Sequence, residues 1–125
     1  MFQTIDKIIT DLKNTSKSTE KIKYISGLEE KDKHAFFSYC NVVLDTIFLQ
    51  YSVSESWLKA QTIPSSDEVK LDFNATIDYF ISMGASGGFN NSAEKENLLA
   101  IFGSLPEQYH HIIHSIINRK MRCGV

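Results

Sequence analysis

Residues 30–51, EKDKHAFFSYCNVVLDTIFLQY, carry the strongest helical pattern in the chain. Their large apolar side chains recur at the spacing of one broad helix face, and they do not alternate as they would in a strand. A face this wide over about 20 residues is typical of a helix at the centre of a core. We therefore predict one central helix from Glu30 to Tyr51, whose apolar face consists of Phe36, Phe37, Cys40, Val43, Leu44, Ile47, Phe48 and Tyr51.

Two amphipathic segments precede this central stretch. The first has apolar residues at helical spacing, which predict a helix with a buried face of Phe2, Ile5, Ile8, Ile9 and Leu12. The second begins near Lys17 and ends at Gly27, because glycine commonly terminates a helix. Between them, Asn14, Thr15 and Ser16 carry side-chain oxygens that can accept hydrogen bonds from backbone N–H groups. We therefore expect this trio to supply the N-cap of the second helix.

The region after the central stretch begins less regularly and then becomes helical again. Trp57 and Leu58 are predicted to pack from a short helix or loop, and residues 63–67, IPSSD, form a turn. Asn74 can cap the next helix, which carries Ile77, Phe80 and Ile81. Glycines at positions 84, 87 and 88 are then expected to end that helix and to open a loop over residues 82–91.

Two further helices are predicted near the end of the chain. Asn91 and Glu94 have the spacing of a capping box, and Gly103 is expected to stop the helix that follows them. Pro106 suits the first turn of a last helix, whose apolar face is Tyr109, Ile112, Ile113, Ile116 and Ile117. The whole pattern predicts an all-α fold, a compact irregular bundle of about six helices in a single domain over residues 1–125.

The charges are unevenly distributed, although the net charge is only -2. Residues 1–23 hold five lysines and three acids, residues 29–107 hold five lysines and twelve acids, and residues 119–125 hold three basic residues. If the two basic ends fold onto one face, that face would suit a polyanion. The alternative is that these lysines lie on solvated helix surfaces without a ligand.

Composition also excludes several classes of protein. No stretch approaches the ~18 consecutive apolar residues of a membrane helix, and the N-terminus has no signal-peptide layout, so we expect no membrane partner. The two cysteines, Cys40 and Cys123, lack metal-ligand spacing, which favours structural thiols in a reducing compartment such as the cytoplasm.

The residues most able to carry chemistry do not form a complete site in the sequence. His110 and His114 share a helix face with metal-ligand spacing, and His111 lies between them, but zinc needs three or four ligands and no others are evident. Cys40 lies on the apolar face of the predicted central helix, and no general base is evident that could activate a nucleophilic side chain. We therefore expect no catalytic residue, metal ion or cofactor in this chain, and we interpret the histidines as a polar helix face.

Three helix–loop junctions carry groups suited to phosphate contact. Free N–H groups at helix N-termini bind phosphate at the first two junctions, and basic side chains do so at the third. Such contacts hold a nucleic-acid backbone without reading bases, whereas the alternative for all three is ordinary capping and turns. The candidate residues are Thr15, Ser16, Lys17 and Lys21, then Gly87, Gly88 and Asn90, then Arg119, Lys120 and Arg122.

The end of the chain, SIINRKMRCGV, resembles the segment that closes the N-terminal domain of bacteriophage ATP-dependent DNA ligases of the T4 type. In that family an apolar helix is followed by arginine, an acid, an apolar residue, often a basic residue, and Cys-Gly. Lys120 stands where the family has the acid. The matching residues are Arg119, Met121, Arg122, Cys123 and Gly124.

Two further stretches resemble the same family in the same order. ITDLKNTSKSTEKIKYI is similar to its opening helices, and LDFNATIDYFISMGASGGFNNSAEKENLLAIF is similar to its later helix pair with a Gly-Asn loop. The resemblance implies a monomeric helical domain that binds nicked double-stranded DNA without sequence preference. It also implies a bacterial or phage-infected cell as the setting.

The resemblance places the chemistry elsewhere in the parent protein. The adenylated lysine of these ligases lies in a Lys-x-Asp-Gly motif, which this chain does not contain. ATP and Mg²⁺ are therefore expected in a nucleotidyltransferase domain that, with an OB domain, acts in cis. The competing hypothesis is a helical protein–protein interaction module, with an apolar groove around Trp57 and residues 52–70.

Overall fold

The computed structural model describes residues 1–121, which form seven α-helices and one turn of 3-10 helix. Short loops join most of these helices, and a longer irregular segment separates the fourth from the fifth. No strand occurs within residues 1–121, so the prediction of an all-α bundle of about six helices is confirmed. The elements are α1 (Phe2–Lys13), α2 (Ser18–Ser26), α3 (Glu30–Leu44), α4 (Glu55–Lys59), α5 (Phe73–Ala85), α6 (Ser92–Gly103), the 3-10 turn (Glu107–Tyr109) and α7 (His110–Asn118).

Helix α3 lies at the centre of the bundle, and α1, α5 and α7 pack against it. The Tyr39 hydroxyl donates a hydrogen bond of 2.9 Å to the Ile112 carbonyl, which joins α3 to α7 inside the core. The apolar faces predicted for the first and last helices are buried in full. No helix among residues 1–121 is long and apolar enough to cross a lipid bilayer.

The central helix is shorter than the sequence predicts, because α3 ends at Leu44 and not at Tyr51. The Asp45 carboxylate accepts hydrogen bonds from the backbone N–H groups of Ile47 (3.1 Å) and Phe48 (3.0 Å). An aspartate that bonds to the backbone just ahead of it favours a turn over a helix. The prediction of one apolar face was therefore partly wrong. Phe36, Val43 and Tyr51 are buried, whereas Phe37, Leu44, Ile47 and Phe48 are exposed.

Of the four helix boundaries predicted at residues 14–16, Gly27, Asn74 and Asn91, two are confirmed. Gly27 is the C-cap of α2, and the Asn91 side chain accepts a 2.9 Å hydrogen bond from the Glu94 N–H at the start of α6. The other two were wrong. The N-cap of α5 is Asp72 and not Asn74, and the N-cap of α2 is Lys17.

The cap of α2 differs from the prediction because Thr15 is engaged elsewhere. Its hydroxyl donates a 2.8 Å hydrogen bond back to the Asp11 carbonyl, within the end of α1. Ser16 lies exposed beside it, and no side chain of the described residues caps α2. Asn14 and Thr15 therefore complete α1 and do not begin α2.

Candidate nucleic-acid interface

The α1–α2 junction, residues 13–23, presents a basic surface. Lys17 is extended at φ −93° and ψ 131°, and it leads into α2 without a side-chain hydrogen bond to the first turn. The first N–H groups of a helix have no partner within the helix, and together with the helix dipole they attract anions. The side chains of Lys13, Lys17 and Lys23 are exposed here, while Lys21 is partly buried.

Helix α2 lies on the outside of the bundle, because none of its residues is buried. Residues 7–24 contain five lysines against two acids, so this outer helix belongs to a positively charged segment. One of those acids, Glu20, lies in the first turn of α2 and lowers the local potential. The other is held by partners within the segment.

That second acid is Asp11, which bridges α1 and α2. Its carboxylate accepts a 2.8 Å hydrogen bond from the Lys7 ammonium and a 2.6 Å hydrogen bond from the Tyr24 hydroxyl. The Lys7 and Tyr24 hydrogen bonds hold the pKa of Asp11 below its ordinary value. Burial, followed by the hydrogen bond and charge of Asp11, raises the pKa of Tyr24 to about 12. This contact fixes the angle at which α2 leaves α1.

The α5–α6 loop, the second predicted junction, is closed by internal hydrogen bonds. The Gly87 N–H donates to the Gly84 carbonyl at 3.3 Å, and the Gly88 N–H donates to the Met83 carbonyl at 2.8 Å. The Asn90 N–H donates to the Glu94 carboxylate at 3.3 Å. The amides expected to bind phosphate are thus already engaged, one of them by a carboxylate.

The glycines of this loop are explained by packing. Gly87 and Gly88 have φ values of +98° and +94°, a region that side-chain-bearing residues rarely adopt. A Cβ atom on Gly88 would lie 2.2 Å from the Tyr51 carbonyl carbon, so only glycine allows this approach. Gly84 does not end α5 as expected, because it is buried inside the helix against Leu49 and Tyr51.

At the third junction the arginine turns inward. Arg119 is the C-cap of α7 in a left-handed conformation (φ +60°), and its guanidinium carbon lies 5.1 Å from the Tyr51 ring centroid. Its two terminal nitrogens are buried and have no hydrogen-bond partner among residues 1–121. Lys120 is exposed, whereas Arg122 and Cys123 lie outside the described residues.

Tyr51 is the common neighbour of the second and third junctions. Its backbone contacts Gly88, and its ring contacts Arg119. Burial raises the pKa of Tyr51, and the positive charge of Arg119 opposes that rise. At the first junction the Tyr24 hydroxyl of α2 donates instead to the Asp11 carboxylate of α1. Of the three junctions, the first therefore presents exposed lysines and a helix N-terminus without a side-chain cap. Most candidate groups of the other two are hydrogen-bonded or packed within the protein.

The three histidines of α7 do not converge on one site. His110 is buried, and its Nε2 lies 2.8 Å from the Phe102 carbonyl and 3.1 Å from the Leu105 carbonyl. His111 Nε2 lies 2.6 Å from the Asp6 carboxylate, and the centroid of the His114 ring lies 4.9 Å from that of the Phe102 ring. Within residues 1–121 no group of three or more histidine, cysteine or acidic side chains could hold a metal ion.

The groove predicted around Trp57 is not the main apolar surface. Leu58 is buried, Trp57 is half-buried, and the Lys95 ammonium lies 5.4 Å from the Trp57 ring centroid. The two most exposed large apolar side chains among residues 1–121, Ile47 and Phe48, lie instead just after the end of α3. Sequence reasoning missed this surface because hydrophobic periodicity assigns such residues to a core.

Comparisons with known proteins identify no relative of this chain. No protein-family model matches the chain, and neither a curated protein nor a solved structure matches it. The resemblance to the ligase N-terminal domain therefore stays a prediction.

Proposed function

We propose that this domain binds the phosphate backbone of nicked duplex DNA at the α1–α2 junction, without reading its sequence. The observation that carries this proposal is the outer helix α2, which begins at an uncapped N-terminus among exposed lysines. Lys13, Lys17 and Lys23 supply charge, and the first amides of α2 supply oriented N–H donors. Phosphate is the ligand that favours both groups together.

The charge of the remaining surface would orient the DNA. Residues 29–107 hold twelve acids against five lysines, so most of the bundle repels a polyanion while the α1–α2 junction attracts it. The net charge of -2 implies that the isolated domain binds weakly and that salt weakens it further. Lys21, which is partly buried in this segment, and Lys120, which is exposed after α7, would add further phosphate contacts, whereas Arg119 packs against Tyr51.

The wider role follows from the ligase resemblance and remains part of this proposal. The domain would hold nicked DNA for an ATP-dependent ligase of the cytoplasm, while ATP and Mg²⁺ act in a nucleotidyltransferase domain of the same polypeptide. A ligase joins any sequence, so a backbone grip suits it better than base contacts. Tethering to the other domains would raise the effective concentration of a weak binding module.

The DNA proposal is tested by reversing charge at two equivalent pairs of exposed lysines. Lys13→Glu with Lys17→Glu should weaken binding of a fluorescent nicked duplex at least ~10-fold at low salt. It should also reduce the slope of log K against log [salt] by about 2, because two phosphate contacts are lost. The slope is measured by fluorescence anisotropy at several salt concentrations.

The matched control is Lys59→Glu with Lys70→Glu, which makes the same charge change at exposed positions elsewhere. It should change affinity by about twofold or less, since only long-range repulsion is altered. Equal losses in both double variants would mean that net charge alone, and not the α1–α2 junction, governs binding. That result would remove the proposed site.

The ligase part of the proposal has a separate test. The reading frame downstream of Val125 in the source gene should encode a Lys-x-Asp-Gly motif. A stop codon directly after Val125 would contradict the ligase assignment, yet it would leave the DNA-binding measurement meaningful.

A further inference from the structure

A surface of exposed apolar side chains surrounds the end of α3. Eight large apolar side chains are exposed among residues 1–121, and five of them lie on α3, on the turn that follows it, or on α5. Phe37, Asn41 and Leu44 share one outward stripe of α3, because they are spaced by four and then three residues. The five residues of this α3–α5 surface are Phe37, Leu44, Ile47, Phe48 and Ile81.

A groove runs between α3 and α5 beside this stripe. Val42, Leu49 and Ile77 line it from the core, while Phe48 and Ile81 line it with exposed side chains. Its volume is about 450 Å³, which lies within the ~300–1,000 Å³ of typical ligand clefts. The groove is therefore large enough to take apolar side chains from another molecule.

The exposure of Phe48 is fixed by backbone hydrogen bonds. Asp45 accepts hydrogen bonds from the N–H groups of Ile47 and Phe48, and the Gln50 N–H donates to the Gly84 carbonyl at 3.0 Å. The turn is thus tied both to its own aspartate and to α5. Ile47 and Phe48 are 78% and 76% exposed although the backbone of this turn makes these hydrogen bonds. Contiguous exposed apolar surface of this kind marks interaction sites.

The groove carries negative charge as well as apolar surface. Asp45 and Asp78 both line it, and no lysine or arginine among residues 1–121 does so. Negative charge disfavours DNA and the anionic surface of a membrane, so neither is the expected occupant. An occupant with apolar side chains flanked by basic ones would complement both properties of the groove.

We propose that the α3–α5 groove binds an amphipathic helix of a partner protein, with large apolar anchors flanked by lysine or arginine. A helix in a groove presents anchors at i, i+3, i+4 and i+7, which fits an elongated cleft between two helices. Its basic residues would pair with Asp45 and Asp78 at the rim. This surface shares no residue with the α1–α2 junction, so the inference does not depend on DNA binding.

The proposal is tested with two synthetic helical peptides of about 18 residues, which make about five turns. Both carry leucine on one face, and the opposite face carries lysine in one peptide and glutamate in the other. Fluorescence anisotropy of the labelled lysine peptide with the whole chain should show saturable binding, and the glutamate peptide should bind at least ~10-fold more weakly.

Two variants of the chain then locate the contact. Phe48→Ser with Ile81→Ser should weaken lysine-peptide binding by about 10-fold or more, because both anchors' contacts are lost. Asp78→Asn should weaken the lysine peptide by about threefold and leave the glutamate peptide unchanged or slightly improved. Ile22→Ser, which removes another exposed apolar side chain at 65% exposure, is the matched control and should have no effect.

Several results would overturn the assignment. Equal weakening by Ile22→Ser would show nonspecific apolar binding, and tight binding of both peptides would show that Asp45 and Asp78 do not select the partner. Phosphatidylcholine vesicles that bind the chain through Phe48 would identify a lipid surface as the occupant. Sedimentation of a dimer that Phe48→Ser dissociates would identify a second copy of the chain.

Discussion

The α1–α2 junction and the α5–α6 loop have similar sequence patterns but differ in the structure. The helix that follows the first has no side-chain cap, whereas the helix that follows the second is capped. Both place small polar residues before a helix N-terminus, and both were predicted to offer backbone N–H groups to phosphate. At Lys17 no described side chain caps α2, and lysines surround the opening. At Asn91 a side chain caps α6, and the Glu94 carboxylate occupies the Asn90 N–H.

The difference indicates that the N-terminus of a helix is available to an anion only where no group inside the protein uses its N–H donors. A capping asparagine stabilises the helix by satisfying the same amides that a phosphate would need. Stability and binding therefore compete for one set of hydrogen-bond donors. Adding a cap at the first junction and removing the cap at the second test this competition.

The largest effect is expected from the close approach that holds the α5–α6 loop. Gly88→Ala would place a Cβ atom 2.2 Å from the Tyr51 backbone, which cannot be relieved by a side-chain movement. We expect the free energy of unfolding to fall by about 4 kcal/mol, near the upper end for a single substitution. Urea denaturation followed by circular dichroism measures it.

Gly87→Ala is the matched control for that variant. Gly87 has a similar positive φ, but its nearest obstruction is the Asn90 amide nitrogen at 3.5 Å. Backbone strain alone should then cost about 1–2 kcal/mol. A cost for Gly88→Ala no greater than for Gly87→Ala would show that the loop is free to move away from Tyr51.

The next effect would make the α1–α2 junction resemble the closed loop. Lys17→Asp should place a capping carboxylate at the start of α2 and raise the free energy of unfolding by about 1 kcal/mol. The same change should weaken nicked-duplex binding about 10-fold, because the carboxylate repels phosphate and takes its donors. Lys17→Ala separates the two causes, since it removes the charge without adding a cap. Unchanged binding in Lys17→Asp would contradict the role of these amides.

The reciprocal change, Asn91→Ala, removes the side-chain cap of α6 at the second junction. Asn91→Ala removes the side chain that accepts from the Glu94 N–H and should lower the free energy of unfolding by about 1 kcal/mol. It should leave DNA binding unchanged, because Glu94 still places negative charge beside α6. A gain in DNA affinity would mean that capping alone kept this site closed. Thermal denaturation and anisotropy on the same sample provide both numbers.

The smallest effect concerns the contact between Tyr24 and Asp11. Tyr24→Phe removes a hydrogen bond and should lower the free energy of unfolding at neutral pH by about 1 kcal/mol. In the folded protein the pKa of Tyr24 is raised from 10.0 to about 12, so its stabilising contribution is present below pH 10 and is lost as pH rises toward 12. The variant should lack this alkaline loss.

The measurement for Tyr24 compares unfolding of both proteins between pH 9 and pH 12, a window set by the two pKa values. Absorbance of the tyrosinate band in the wild-type chain should show one tyrosine that titrates near pH 12 and that is missing in the variant. Identical pH dependence in the two proteins would show that the bond to Asp11 does not persist in solution. The angle between α1 and α2 would then need another cause.

Much of the fold was predictable, because one-sided apolar faces are a local property. The faces of α1 and α7 each follow a clear helical period, and every residue predicted on them is buried. The end of α3 was missed because Asp45 competes for backbone N–H groups that a continued helix would use. Periodicity alone does not register that competition, and so Ile47 and Phe48 were placed in the core.

Less of the candidate site was predictable, because its state depends on contacts between distant residues. Gly88 lies far from Tyr51 in the sequence, and no local sequence pattern predicts that their backbones are in contact. Arg119 likewise has a basic side chain that is expected to face solvent, but its guanidinium lies over the aromatic ring of Tyr51. At the α1–α2 junction the lysines are evident in the sequence, but the hydrogen bond of the Thr15 hydroxyl to the Asp11 carbonyl was missed.

The buried ring of His110 joins the start of α7 to the end of α6. Both neighbours of its Nε2 are carbonyl oxygens, from Phe102 and Leu105, so this nitrogen must carry the hydrogen. The first residue of α7 thereby holds the last turn of α6 and the loop beyond it. The closing turns of α6 and the opening turns of α7 should consequently exchange their amide hydrogens with solvent as one cooperative unit.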